Sequence, residues 1–310
     1  MNCDCYHIPV MLHECLAGLN VRSDGTYIDL TYGGGGHSRE IVKLLGCDGH
    51  LFGFDQDLDA MNESMTDDRF TFVRSNFRFV SNWMQYYGVD HVDGILADLG
   101  VSSHHLDEAE RGFSFRYDAP LDMRMNQRGL QTAQKILSDY SEEQLADIFH
   151  TYGELRQSRR IASAIVKKRQ VSDIKTTNEL SNIVGPLLGK DREKKDMARV
   201  FQALRIEVNG EMKVLKEMLD AATRLLRPGG RLVVMTYHSL EDRIVKNHIK
   251  NGYSIAPSPT HASSSNEEFL FGQRKEILRD VNRGVTVPTE AELAQNPRSR
   301  SAKLRIAEKI

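Results

Sequence analysis

The stretch Tyr27-Ile28-Asp29-Leu30-Thr31-Tyr32-Gly33-Gly34-Gly35-Gly36-His37-Ser38 decides the fold of this chain. An apolar run ends near a carboxylate, four consecutive glycines follow, and a helix-forming segment over residues 39–45 comes directly after them. This order predicts a buried strand, a tight turn without Cβ atoms, and a helix whose first N–H groups face whatever lies on the turn. Because a helix N-terminus carries partial positive charge, such a turn is typical of a site for an anionic or carboxylate-bearing cofactor.

Two classes of cofactor-dependent enzyme use this geometry. Dinucleotide enzymes require the pattern G-x-G-x-x-G, in which the third glycine packs the helix against the strand. The glycines here fit no register of that pattern, because Ser38 and Arg39 occupy the positions where the third glycine or alanine would fall. Enzymes that use S-adenosylmethionine tolerate a looser turn, and the acidic residue before it, here Asp29, helps to hold the amino acid end of the cofactor. We therefore favour S-adenosylmethionine.

Composition limits the class of protein. The chain has 310 residues, 40% of them hydrophobic and 27% charged, and a formal net charge of −2, so it is not a uniformly basic RNA-binding protein. Since no apolar run approaches the roughly 20 residues that span a bilayer and no signal-peptide pattern begins the chain, we expect a cytoplasmic protein without membrane contact. Cys3, Cys5, His7 and His13 lack the spacing of zinc sites, so we expect free thiols and no metal.

Strands and helices alternate over the first third of the chain, and strand patterns return near its end. The apolar strand patterns lie at 27–30, 50–54, 70–73, 92–97, 231–236, 276–280 and 301–308. The last two can pair as an antiparallel ribbon, and helical patterns fill the gaps between the first four. This order predicts the α/β class, with a mostly parallel seven-stranded sheet whose ligands bind at the carboxyl ends of the strands.

The interval between the fourth and fifth strand patterns is far longer than a crossover helix requires. We predict an inserted all-helical domain for substrate recognition at 117–211, and a discontinuous sheet domain made of 1–116 and 212–310. Capping boxes predict two helix starts in the insertion, Ser141 with Gln144 and Thr176 with Glu179. Gly185-Pro186 is expected to kink or end the second of these helices, and 251–266 is expected to form a loop.

Two groups of basic residues are candidates for contacts with RNA phosphates. The first group is Arg156, Arg159, Arg160, Lys167, Lys168 and Arg169, and the second is Arg298, Arg300, Lys303 and Arg305. The alternative is a solvated helix face for the first group and a charged edge strand for the second.

Three residues at strand ends are candidates for the chemistry. Asp55 can accept hydrogen bonds from ribose hydroxyls, with a helix N-cap as the alternative role. Phe77 can lie against an adenine ring, with a plain core aromatic as the alternative. Asp98 is followed by the hydroxyls of Ser102 and Ser103. Because amine methyltransferases commonly place a polar residue at this strand end, we predict that Asp98 is catalytic and orients the amine.

Motifs along almost the whole chain resemble the bacterial 16S rRNA methyltransferase H family. The matching blocks are residues 7–10, 29–38, 93–103, 111–115, 120–125, 201–206, 238–243 and 296–301. The resemblance implies a class I methyltransferase fold with an inserted helical domain, S-adenosylmethionine as cofactor, and methylation of N4 of a cytidine in the decoding region of the small ribosomal subunit.

The resemblance also implies a set of cofactor contacts, at Gly35, Gly36, His37, Asp55, Phe77 and Asp98. The family usually has Gln where this chain has His105, and an imidazole can replace one of the hydrogen bonds of the amide. This chain also has Thr236-Tyr237 where the family usually has Ser-Phe, and we expect that pair to lie away from the cofactor pocket, on the RNA side.

The expected partner is 16S rRNA, either naked or in the small subunit, and the sequence leaves open whether the chain forms a homodimer. Three other functions share some of these features: a methyltransferase that acts on a protein or a small molecule, a ribosome assembly factor without catalysis, and a nicotinamide oxidoreductase. The missing glycine register disfavours the last, and an intact cofactor pocket would disfavour the second.

Overall fold

The computed structural model describes residues 9–62, 64–100, 109–255 and 276–310. The chain divides into two compact units, which we call the sheet unit, Met1–Gly100 with Lys213–Ile310, and the inserted unit, Val101–Met212. The sequence placed the first boundary at 117, whereas the described residues 109–116 belong to the inserted unit.

A sheet of seven strands forms the centre of the sheet unit. The strands are β1 Thr26–Asp29, β2 His50–Asp55, β3 Phe70–Arg74, β4 Val92–Asp98, β5 Leu226–Thr236, β6 Leu278–Asp280 and β7 Lys303–Lys309. Their order is β3-β2-β1-β4-β5-β7-β6. Neighbours from β3 to β5 are parallel, and β7 is antiparallel to both β5 and β6. The mostly parallel seven-stranded sheet predicted from the sequence is confirmed, and the terminal ribbon continues that sheet.

Helices cover the sheet and build the inserted unit. In chain order they are α1 Leu12–Leu19, α2 Gly36–Leu44, α3 Leu58–Asn62, α4 Val80–Tyr86, α5 Ala133–Asp139, α6 Glu142–Thr151, α7 Ser158–Arg169, α8 Thr177–Val184, α9 Glu193–Asn209, α10 Glu211–Leu225, α11 Ser239–Asn251 and α12 Glu290–Gln295. Over the part of the chain that the structure describes, none of these helices combines the length and apolarity needed to cross a bilayer.

The two faces of the sheet carry separate apolar cores, because successive side chains of a strand point to opposite faces. Ile28 and Ile95 belong to one core, against which α4, α10 and α11 pack. Tyr27 and Leu96, their neighbours in sequence, belong to the other core, which includes residues of α1 and α2. A parallel sheet buried on both faces explains why its strands are continuous apolar runs.

Strand β5 begins earlier than the sequence pattern predicts. It is assigned from Leu226, but its pairing with β4 is irregular until Arg231, which lies opposite Gly94. Gly229 has φ +79°, so the Pro-Gly-Gly segment forms the irregular start of the strand. The regular ladder therefore begins at Arg231, the residue where the apolar strand pattern starts.

The inserted unit has a core of its own, made by side chains of α5 to α9. Both predicted capping boxes are present, at the starts of α6 and α8. Helix α8 ends at Val184, and a short 3-10 turn over Gly185–Leu187 follows, as Pro186 requires. The predicted loop at 251–266 falls mostly outside the described residues.

Candidate active site

Three neighbouring strands bring the predicted acidic residues to one edge of the sheet. Asp29, the last residue of β1, pairs with Gly53 of β2 on one side and with Leu96 of β4 on the other. Asp55 and Asp98, which end β2 and β4, therefore lie beyond the level of Asp29, on either side of the glycine turn. This edge is the one where parallel α/β sheets bind ligands.

The glycine turn depends on glycine at a defined position. Gly35 has φ +73°, and a Cβ atom there would lie 2.6 Å from the hydroxyl oxygen of Tyr32. Gly33 is also left-handed, with φ +51°, and its N–H donates to Oδ2 of Asp55 over 2.9 Å. At Gly34, by contrast, a Cβ atom would meet nothing within 4 Å. The turn is thus fixed by the ring behind it and by the end of the neighbouring strand.

Helix α2 presents its first turn at the end of this glycine turn. It begins at Gly36, directly after Gly35 in the N-cap position, and no side chain in the described parts of the chain caps it. The first N–H groups of an uncapped helix can bind an anion, and the helix dipole favours negative charge there. This arrangement fits the carboxylate of an amino acid ligand.

Asp29 contacts the protein through both carboxylate oxygens. Oδ2 accepts a hydrogen bond of 2.6 Å from the hydroxyl of Ser38, and Oδ1 accepts one of 3.0 Å from the N–H of Thr31. The residue is 1% exposed. These two protein donors hold the two ends of the turn together. The role at the amino acid end of the cofactor that the sequence pattern favoured for Asp29 stays a prediction.

His37 is buried beneath the turn. Its Nε2 lies 3.0 Å from the carbonyl oxygen of Val10. Because a carbonyl can only accept, Nε2 carries the proton and donates to it. The side chain thereby attaches the segment before α1 to the start of α2, and what His37 offers to a ligand is its backbone N–H in the first turn of the helix.

Asp55 and Phe77 are both partly buried at the ends of their strands. The second oxygen of Asp55, Oδ1, accepts a hydrogen bond of 2.9 Å from the N–H of Asp57. Both oxygens of Asp55 therefore accept backbone N–H groups at the end of β2, and each oxygen of an ionised carboxylate can accept more than one donor. Phe77 is only partly buried, and it packs against the core that contains Ile28 and Ile95.

The carboxyl group of Asp98 has a pKa well above the ordinary value of an aspartate. Burial raises the pKa of Asp98 to about 6, the nearby His37 and a hydrogen bond from Tyr237 lower it, and the charges of Asp29 and Glu241 raise it. A carboxylate with a pKa near neutrality is a better proton acceptor than an ordinary aspartate, and such groups concentrate at functional sites.

Two hydrogen bonds fix the position of Asp98. Its backbone N–H donates to the hydroxyl oxygen of Thr31 over 2.7 Å, which joins the end of β4 to the start of the glycine turn. Its Oδ1 accepts a bond of 2.7 Å from the hydroxyl of Tyr237, which follows β5 directly. This contact corrects the expectation from the sequence that Tyr237 lies away from the pocket. A tyrosine where the family usually has phenylalanine was the signal for it.

Several predicted site residues lie outside the described residues. They are the cofactor candidate His105, the hydroxyl residues Ser102 and Ser103, and the cysteine and histidine group Cys3, Cys5 and His7.

The structure divides each basic group into exposed and structural members. Arg159 and Arg160 are exposed on α7, but Arg169 donates to the carbonyl oxygens of Leu137 and Tyr140, each over 2.7 Å. Arg169 therefore closes the end of α5 and is not a free surface charge.

In the second basic group, Arg300 is exposed, whereas Arg305 is 8% exposed and donates to Asp242 over 2.7 Å. Lys303 contacts the same carboxylate. Charge that looks like a surface patch in the sequence thus holds β7 against α11.

Known proteins resemble this chain over almost its whole length. The model of the MraW methylase family matches residues 4–310. A relative from Parabacteroides distasonis, named ribosomal RNA small subunit methyltransferase H, is 58% identical over 307 residues, which cover 99% of this chain and 98% of the relative. A relative of the same name from Porphyromonas gingivalis is 54% identical over 308 residues, covering 98% of this chain and 97% of its own length.

The fold and the relatives agree on the class of enzyme that the sequence predicted, a class I methyltransferase that uses S-adenosylmethionine. By the match over nearly its whole length, the chain belongs to the MraW methylase family.

Proposed function

We propose that this protein methylates N4 of a cytidine in the decoding region of 16S rRNA. The names of relatives that are 54–58% identical support an rRNA of the small subunit as the substrate. The observation that carries the proposal is the place of Asp98: this carboxylate lies at the end of β4, next to the glycine turn, and its pKa is raised.

The residues around the glycine turn fit S-adenosylmethionine. The uncapped first turn of α2, with the N–H groups of Gly36 and His37, would hold its carboxylate. Asp55 would accept hydrogen bonds from its ribose hydroxyls, and the accessible part of Phe77 would lie against its adenine. When bound, S-adenosylmethionine supplies a methyl group attached to a positively charged sulfur.

Asp98 would act on the methyl acceptor. The amino nitrogen of cytosine is a poor nucleophile, because its lone pair is delocalised into the ring. A carboxylate that accepts a hydrogen bond from this amine orients it and draws on its proton as the new bond forms. Because the pKa of Asp98 is about 6, the group is largely ionised at pH 7 and yet basic enough to share that proton.

A base stacked within RNA cannot reach a methyl group held at the edge of a sheet, so the cytidine must leave its stack to react. We infer that the inserted unit binds the surrounding rRNA. Exposed basic residues on its surface, among them Arg156, Arg159 and Arg160, would contact phosphates.

Methyl transfer to small subunits tests the proposal directly. Subunits from cells that lack this protein would be incubated with it and labelled S-adenosylmethionine, and the digested rRNA analysed by mass spectrometry for N4-methylcytidine. We expect one methyl group on one cytidine. Label that appears in protein or in small molecules, and not in rRNA, would refute the substrate.

The role of Asp98 is tested by Asp98→Ala in the same assay, with Asp90→Ala as the matched control. Asp90 is an exposed aspartate just before β4. We expect Asp98→Ala to lower methyl transfer at least about 100-fold, the usual contribution of a positioned proton acceptor, while thermal unfolding shows that the variant is folded. An unchanged rate in Asp98→Ala would remove Asp98 from the mechanism.

A further inference from the structure

Tyr237 provides a contact with Asp98 that the proposed mechanism does not yet use. Its hydroxyl lies 2.7 Å from Oδ1 of Asp98. Burial, together with the charge of Asp98, raises the pKa of Tyr237 far above its ordinary value, so the hydroxyl keeps its proton near neutral pH. Because an ionised carboxylate can only accept, the tyrosine is the donor.

The position of Tyr237 is fixed by its backbone and by the space beside its ring. Its N–H donates to Oε2 of Glu241 over 3.0 Å, and Glu241 is 3% exposed on the first turn of α11. Gly100, just after β4, has φ +103°, and a Cβ atom there would lie 3.3 Å from Cδ2 of the tyrosine ring. The glycine leaves room for the ring next to the end of β4, and the hydroxyl is thereby aimed at Asp98.

We propose that Tyr237 is a positioning residue that holds Oδ1 of Asp98, so that the other oxygen, Oδ2, is turned toward the methyl acceptor. Within the ranges that the structure describes, Oδ1 is the carboxylate oxygen of Asp98 that accepts a hydrogen bond, and Oδ2 has no donor. This inference rests on the proposed function in one respect, namely that Asp98 acts on the acceptor.

Holding Oδ1 has a second effect, on the protonation of Asp98. A hydrogen bond to a carboxylate favours its ionised form, whereas burial favours the neutral form. Loss of the hydroxyl therefore raises the pKa of Asp98 further. The other titratable groups that act on Asp98 lie on the neighbouring elements, namely Asp29 on β1, His37 on α2 and Glu241 on α11. The charge of Asp98 in turn raises the pKa of Cys15 on α1.

The variant Tyr237→Phe removes the hydroxyl and keeps the ring. Methyl transfer by this variant and by the native protein would be measured as kcat/KM between pH 5.5 and 8.5. If the pKa of Asp98 rises by about one unit from its value of about 6, the ionised fraction falls roughly fivefold at pH 6 and by little at pH 8. We therefore expect the acidic limb of the profile to move to higher pH.

Tyr27→Phe is the matched control. Tyr27 is another buried tyrosine of the sheet unit, and its hydroxyl accepts a hydrogen bond of 2.8 Å from the N–H of Arg22, before β1 begins. This variant also loses a buried hydroxyl, but at the start of a strand and not at the edge where Asp98 lies. We expect its pH profile to keep the native shape, whatever its stability.

A titration independent of activity separates this inference from the proposed function. The ¹³Cγ signal of Asp98, assigned with Asp98→Asn, would be followed against pH in the native protein and in Tyr237→Phe. A raised pKa together with a displaced pH profile supports the inference. An unchanged pKa overturns it, and so does a raised pKa with an unchanged profile, because Tyr237 would then act on a carboxylate that the reaction does not use. Failure of the native protein to methylate rRNA would refute the proposed function but leave the ¹³C comparison intact.

Discussion

Ser38, in the first turn of α2, donates a hydrogen bond of 2.6 Å to the Asp29 carboxylate at the end of β1, and both residues are buried. This hydrogen bond holds the two ends of the glycine turn together, because it joins the last residue of β1 to the first turn of α2. The turn is therefore held in shape before any ligand arrives, and binding need not supply the free energy to order it.

We expect Ser38→Ala to destabilise the sheet unit by about 1–3 kcal/mol, because a buried carboxylate oxygen loses its donor. Trp83 is the single tryptophan of the chain and packs against the sheet core, so its fluorescence during urea unfolding follows this unit. Ser23→Ala, at an exposed serine of the same unit, is the control. Equal free energies of unfolding for the two variants would contradict the structural role of Ser38.

Gly35→Ala and Gly34→Ala form a matched pair within the turn. Alanine at 35 would adopt φ +73° and place its Cβ atom 2.6 Å from the Tyr32 hydroxyl, whereas alanine at 34 meets nothing within 4 Å. We expect Gly35→Ala to lose about 1–3 kcal/mol of stability and Gly34→Ala to lose less than about 1 kcal/mol. Thermal unfolding of both variants measures this difference, and equal losses would show that the turn rearranges freely.

Asp55→Asn tests the predicted ribose contact. We expect the variant to bind S-adenosylhomocysteine about tenfold more weakly by calorimetry, because an amide offers one acceptor oxygen in place of two. An analogue without ribose hydroxyls should bind the native protein and the variant with nearly equal affinity. If the analogue shows the same tenfold difference, Asp55 acts through the glycine turn, where it accepts the N–H of Gly33, and not through the ribose.

Asp98→Asn is expected to stabilise the protein while it lowers activity. The pKa of Asp98 rises from 3.8 to about 6 on folding, so the folded state favours the protonated form, and this group lowers stability as the pH rises through that interval. Asparagine carries no charge and still accepts the Tyr237 hydroxyl bond. The gain in unfolding temperature over the native protein should thus be larger at pH 8 than at pH 5. A gain that does not change with pH would contradict the raised pKa.

The exposed arginines of α7 and the arginine at its end, Arg169, are expected to affect different properties when they are replaced. The double variant Arg159→Gln, Arg160→Gln should weaken rRNA binding and reduce its salt dependence, by a slope of about 0.7–0.9 for each phosphate that the protein no longer neutralises. Arg169→Gln should instead destabilise the inserted unit, because two carbonyl oxygens at the end of α5 lose their donor. Filter binding at several salt concentrations and circular dichroism during heating separate these outcomes.

The sequence did not reveal the roles of several residues, because those roles depend on contacts between distant parts of the chain. Two hydrogen bonds illustrate this: His37 bonds to Val10, and Arg305 bonds to Asp242. Each of these bonds joins segments that are distant along the chain. Periodicity carries no information on such pairs, so a buried, paired arginine looks the same in a sequence as an exposed one. The sequence pattern also did not reveal that Thr31 and Ser38 donate to the oxygens of Asp29.

The alternation of apolar runs, glycine turns and capping residues determined which segments became strands and helices, and it placed Asp55 and Asp98 at strand ends, because these are local properties of a few consecutive residues. The folded chain alone decided how those ends are used. Strand order and register place β5 beside β4, so that Asp98 meets a tyrosine 139 positions away along the chain. Burial at that meeting point, which depends on all the surrounding elements, moves the pKa of Asp98 toward neutrality.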